Sequence, residues 1–165
     1  MLAALAEPED PALDPALRSA VADRAWAWAQ EAGDLVLRSD APPADAVAAL
    51  DHAGPLLLVA PDVPSLDPGL APAALADLAA GSVMSFAPGT EGRPYLLAFP
   101  SPAAPAVALL SAEDRHRDSL FAQAIGLGEI GMLRSERRLV TPADARALAI
   151  DPLTPPQLRE LAAGT

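Results

Sequence analysis

The order of apolar and polar positions along the chain predicts short strands alternating with helices. From Pro15, apolar residues recur at three- and four-residue spacing, at Leu17, Val21, Ala25 and Trp28, as on the buried stripe of a helix. Asp14 suits the start of that helix and Gly33 its end. Leu35-Val-Leu37 is short, apolar and bounded by turn residues, and reads as a strand. A second helix is expected over residues 43–52, with Gly54 as its stop. The strongest strand signal is Pro55-Leu-Leu-Leu-Val-Ala60, whose unbroken apolar run fits a strand buried on both faces at the centre of a parallel sheet. A helix over residues 71–80, a strand Val83-Met-Ser-Phe86, a turn-rich loop Pro88-Gly-Thr-Glu-Gly-Arg-Pro94 and a strand Tyr95-Leu-Leu-Ala-Phe99 follow.

The remainder is less regular. It has helical patches over residues 103–110 and 114–125, a break at Gly126-Leu-Gly128, and a strand at either residues 132–133 or 139–140. Thr141, Pro142 and Asp144 have the grammar of a capped helix start, and Thr154-Pro-Pro-Gln157 repeats it. Leu2-Ala-Ala-Leu5 reads as a short strand or a frayed terminus. Strands separated by helices of this length imply an α/β fold with right-handed crossovers: a three-layer α/β/α arrangement around a mostly parallel sheet. At 165 residues the expectation is one domain spanning 1–165.

Composition narrows the chemistry. The 22 acidic residues outnumber the 11 basic ones, and a formal charge of −11 argues against nucleic acid or anionic lipid as a partner held by a general positive field. Every basic residue is Arg, which removes Schiff-base lysines and lysine phosphate clamps, and the absence of Cys removes thiolate metal sites and cysteine nucleophiles. With 10 Gly and 19 Pro the chain stays below the content of low-complexity sequences, roughly 25–30%. No apolar run is long enough to span a membrane, and Met1 to Asp10 is acidic where a signal peptide would be basic, so a soluble cytoplasmic protein is the expectation.

In open α/β sheets, ligands bind beyond the carboxyl ends of the strands, and the loop after the strongest strand carries Asp62 between two prolines. A carboxylate there suits Mg²⁺ or Mn²⁺ that also holds substrate phosphates; the alternative is that Asp62 caps the turn or the next helix. Glu91, Gly92 and Arg93 pair an acid with a guanidinium on a Gly-rich loop, or simply form a hairpin tip. The run Ser135-Glu-Arg-Arg138 offers phosphate binding or a solvated charged face. His52 and His116 lack the paired spacing of a metal site. Trp26 and Trp28 are two apart on one helix, so one faces the core while the other lies at its margin or in an interface, which leaves a homodimer open. P-loop, dinucleotide and nucleophile-elbow fingerprints are missing.

The stretch Leu56-Leu-Leu-Val-Ala-Pro-Asp-Val-Pro-Ser-Leu-Asp-Pro68, the later Glu91-Gly-Arg-Pro-Tyr95 and Leu139-Val-Thr-Pro-Ala-Asp-Ala145 occur in the order of three motifs of one family. In them the chain resembles the glycosyltransferase-like proteins that sit near the molybdenum-cofactor and phospholactate guanylyltransferases. The resemblance implies a GT-A-like (nucleotide-diphospho-sugar transferase) fold, a nucleotide or nucleotide-sugar partner, and metal-assisted glycosyl or nucleotidyl transfer. It places Asp62 as the catalytic, metal-binding aspartate and Glu91, Gly92, Arg93 and Tyr95 at the acceptor. The chain departs from the pattern where Arg138 and Val140 replace two aspartates, where Arg93 and Pro94 replace a glycine and a tyrosine, and where an acidic Leu5-Ala-Glu-Pro-Glu-Asp10 stands in place of a basic phosphate loop. The departures imply a degenerate nucleotide-phosphate site, with a catalytically inactive binding or interaction module as the alternative and a Mg²⁺-dependent phosphatase-like hydrolase as a third reading.

Overall fold

A computed structural model describes residues 10–39, 41–111 and 117–164 of the chain. Leu2 to Leu5, most of the acidic loop before Asp10, and His116 lie outside the described residues. Helix α1 (Pro15–Ala32) starts where the sequence predicts: the Asp14 carboxylate accepts from the Ala16 N–H at 2.9 Å, and proline occupies the first turn, where no N–H is needed. Its buried stripe is Leu17, Val21, Ala25, Trp28 and Ala29. At about 1.5 Å per residue this helix is long enough to serve two cores. Leu17 and Val21 pack with Leu139, Ala145, Leu148 and Leu158, whereas Trp28 and Ala29 join the larger core around the sheet.

Residues 35–37 form no strand; Leu35 and Leu37 are 51% and 43% exposed, and only Val36 touches the core. An apolar triplet becomes a strand only where a neighbour supplies its hydrogen bonds. Helix α2 (Pro43–Ala48) is shorter than expected and buries Pro43 and Val47. Strand β1 (Leu56–Val59) forms as predicted, and helix α3 (Leu70–Ala79) leads to β2 (Met84–Pro88), β3 (Pro94–Phe99) and a 3-10 helix, Pro105–Ser111. Helix α4 (Arg117–Ala124), strand β4 (Ile130–Met132) and helices α5 (Pro142–Ile150) and α6 (Pro156–Ala163) complete the described chain.

The sheet order is β1-β3-β2-β4. Strand β3 runs antiparallel to both β1 and β2, while β2 and β4 are parallel, so the sheet is mixed and not mostly parallel. The cause is the length of the β2–β3 connection, residues 89–93, which suffices for a hairpin and falls far short of the dozen or so residues of a parallel crossover. Strand β1 therefore closes one side of the four-stranded sheet. Its apolar run reflects burial under packed helices and loops, with Leu56, Leu58 and Val59 all enclosed, and not a central position.

The last strand is at Ile130–Met132, and residues 139–140 belong to none. Thr141 caps α5 in a full capping box: its hydroxyl accepts from the Asp144 N–H at 3.3 Å, and the Asp144 carboxylate accepts from the Thr141 N–H at 2.8 Å. The repeat of that grammar at α6 behaves differently, since Pro155 takes the cap position with no side-chain bond and Thr154 is buried. Among the described residues, no helix is long and apolar enough to cross a membrane.

Candidate functional site

Beyond β1 the chain makes one more bond to β3, from the Ala60 N–H to the Tyr95 carbonyl at 2.8 Å, and then turns into the loop of residues 61–69. Asp62 opens that loop, at the strand end where a ligand crevice is expected. What meets it is Arg138. The guanidinium donates from Nε to Asp62 Oδ1 at 2.8 Å and from Nη2 to Oδ2 at 2.6 Å, a bidentate fork with both carboxylate oxygens engaged. Nη1 also reaches Glu91 Oε1 at 3.4 Å and the Pro94 carbonyl at 3.3 Å. The Arg138 side chain is 0% exposed and that of Asp62 20%. Full burial of a guanidinium is costly unless it is paired and hydrogen-bonded in this way.

Backbone contacts set the geometry. The Leu139 N–H donates to the Asp62 carbonyl at 2.7 Å, which docks the segment carrying Arg138 against the loop. Glu91 sits on the β2–β3 hairpin, whose tip is closed by bonds from Gly89 N–H to the Arg93 carbonyl and from Gly92 N–H to the Gly89 carbonyl. The Glu91 carboxylate folds back over Gly89, where a Cβ would collide with both of its oxygens. Gly92 turns the chain with φ of +92°, a conformation that only glycine adopts freely.

The rest of the loop is held as firmly. The Trp28 indole N–H donates to the Asp67 carbonyl at 2.9 Å, and Arg24 Nε donates to the Pro64 carbonyl at 3.4 Å. Arg134 donates to Asp67 Oδ2 at 3.0 Å and pairs with Glu136, while Asp67 Oδ1 accepts from the Gly69 N–H at 2.6 Å. Trp26, by contrast, is half-buried with the Arg38 guanidinium over its ring. A cavity of about 340 Å³ opens beside Pro64, Ser65, Arg134, Arg137 and Thr154, but its two guanidiniums already face Asp67, Glu136 and, at 3.7 Å, Asp144.

Of the residues singled out from sequence, Asp62 and Glu91 are brought together, through Arg138. Gly92 is buried in the turn and Arg93 is exposed on it, so the loop is the hairpin tip that its composition also allowed. Tyr95 is fully buried and its hydroxyl donates to the Arg134 carbonyl at 3.0 Å, which places its ring in the core. Burial pushes its hydroxyl well above the ordinary tyrosine range; the Glu136 charge adds to this, Arg134 opposes it, and Asp67 adds a smaller contribution. Arg138 is the residue that sequence reasoning missed as a partner of Asp62. The signal was an arginine standing where the resemblance implies an aspartate.

The donor set does not fit a divalent cation. Both Asp62 oxygens are engaged by a cation already, and among the described residues no group of three or more His, Asp or Glu could hold a metal ion. A divalent ion about 4 Å from the guanidinium would meet a repulsion of about 8 kcal/mol at an effective dielectric of about 20.

No protein-family model matches the sequence, and no curated protein matches it. A solved structure does: a protein from Desulfovibrio desulfuricans G20, provisionally named a nucleotide-diphospho-sugar transferase, superposes with a TM-score of 0.53 at 17% identity. In fold, the chain resembles a nucleotide-diphospho-sugar transferase. The match covers 67% of this chain and 51% of that one, so the chain spans about half the length of its structural neighbour.

Proposed function

We propose that the chain is a binding or interaction module built on a nucleotide-diphospho-sugar transferase-like fold, with a site that no longer supports transfer. One observation carries this reading: the carboxylate at the mouth of the sheet is committed, through both oxygens, to a buried guanidinium of the same chain. Catalysis of transfer from a nucleotide donor needs charge on the leaving diphosphate to be offset. Here the cation that would offset it is enclosed, and the half-exposed guanidiniums of Arg134 and Arg137 face carboxylates.

Nucleotides and nucleotide sugars, titrated with Mg²⁺ or Mn²⁺ and followed by thermal shift, test the reading. A ligand at 100 times its Kd stabilises by about 2.7 kcal/mol, which such a scan resolves. No shift with any donor is expected. A metal-dependent shift that Asp62→Asn abolishes would overturn the proposal in favour of a second reading, metal-assisted glycosyl or nucleotidyl transfer with Asp62 at the metal and Glu91 and Arg93 at the acceptor. That second reading is supported by the fold likeness and by the order of the three motifs.

A further inference from the structure

We propose that the outer edge of β1 is a docking slot for one extended apolar segment of another protein, flanked by basic residues, which adds to the four-stranded sheet as a further strand. The inference rests on the reading of the chain as an interaction module and names the chemistry of its partner. The bond from the Ala60 N–H to the Tyr95 carbonyl, with the register of β1 against β3, makes Leu56, Leu58 and Ala60 the residues that exchange bonds with β3. Leu57 and Val59 therefore turn their N–H and C=O groups away from β3, and no hydrogen bond takes them up among the described residues. Val59 is only 1% exposed, and backbone groups so enclosed are nearly always paired.

Leu57 and Val59 line a cavity of about 270 Å³, together with Trp28 of α1, Leu75 of α3 and Leu50. The edge is thus recessed between two helices. A sheet from a second copy would drive its own helices into α1 and α3, whereas a single extended segment can enter. Leu35 lines the same cavity, and it belongs to the apolar triplet that pairs with no strand among the described residues. Two strand-forming stretches with unmet ladder bonds border one apolar space, and an inserted strand meets both. Residues 56–60 hold none of the charges, prolines or bulges that guard exposed edges. Backbone bonds along such an edge supply affinity, and the apolar lining selects apolar side chains at alternate positions. The rim selects charge: Asp34 lines the cavity, Glu31 and Asp51 are exposed beside lining residues, and the whole chain carries −11, so cationic flanks suit it.

The experiment uses the full chain and a panel of synthetic peptides, each an alternating apolar stretch of about six residues, an ordinary strand length, between pairs of arginines. Amide hydrogen exchange in the free chain should show Leu57 and Val59 less protected than Leu56 and Leu58, and added peptide should raise the protection of the first pair. Calorimetry at low salt should show saturable binding that weakens by about tenfold or more when glutamates replace the flanking arginines. A proline in the middle of the peptide should abolish it. In the chain, Leu57→Pro removes an N–H that β3 does not use, so binding should be lost while the native circular dichroism is kept. Should that variant fail to fold, Leu35→Glu, at a half-exposed side chain, puts a charge into the same slot and should also lose binding. Equal protection of Leu57 and Val59 with Leu56 and Leu58 in the free chain would mean that the slot is filled from within the chain, and would overturn the inference. So would a panel in which no peptide binds, or binding that survives the folded variants. The proposed function is read separately, with nucleotide donors and no peptide, so either can fail alone.

Discussion

Replacing Asp62 by Ala removes the bidentate partner of a guanidinium that has no access to solvent, while Glu91 and the Pro94 carbonyl stay at 3.3–3.4 Å. Breaking a buried pair in this way costs about 3–5 kcal/mol, because the remaining charge keeps its desolvation penalty and loses its compensation. Asp62 is itself 20% exposed, so water can enter the vacated space, and the lower end, about 3 kcal/mol, is expected. For a chain of this size each kcal/mol moves the midpoint by about 2–4 °C, giving a fall of roughly 6–12 °C. Urea denaturation followed by circular dichroism measures the free energy directly. The Asp62→Leu/Arg138→Met double variant should be markedly more stable than Asp62→Ala, since it removes both charges and fills the space with apolar atoms. The cost of Asp62→Ala should also be nearly the same at low and high salt, because an enclosed pair is poorly screened. A loss under about 1 kcal/mol, or one that salt abolishes, would mark the pair as an ordinary surface bridge and refute the account of the site.

Three further outcomes are expected. Tyr95 is the one tyrosine, so its phenolate absorbance should stay absent as pH passes about 10 and appear only with unfolding. Its folded-state pKa is raised above the unfolded value, so its contribution to stability is complete below about pH 10 and is lost as pH climbs further; a phenolate signal at about pH 10 in folded protein would contradict the burial of the ring. Thr141→Ala breaks the capping box of α5 and should cost about 1 kcal/mol in chemical denaturation, whereas the same change at Thr154, which makes no cap bond, should act through packing alone. Gly92→Ala forces a side chain into a backbone with φ of +92° and should cost about 1–2 kcal/mol, with no relief from enlarging nearby space.

Helix starts were legible in the sequence because they are decided within four residues. Asp14 before Pro15 and Thr141 with Asp144 satisfy orphan N–H groups from their own neighbourhood, and both caps form. The apolar runs at residues 55–60 and 95–99 likewise fixed where the core strands lie, since no solvated strand tolerates them. Tertiary structure alone decided how those strands pair. The insertion of β3 between β1 and β2 depends on non-local ladder bonds, and the same requirement leaves residues 35–37, which pair with no strand among the described residues, outside the sheet. Arg138 is the sharpest case: within Ser135-Glu-Arg-Arg138 it is indistinguishable from solvated charge, yet its partner lies 76 residues away. Which of adjacent arginines is buried is set by where the Leu139–Asp62 backbone bond docks that segment. Local propensity has no term for such a contact, because its energy arises only when two distant stretches of chain exclude water from the same space.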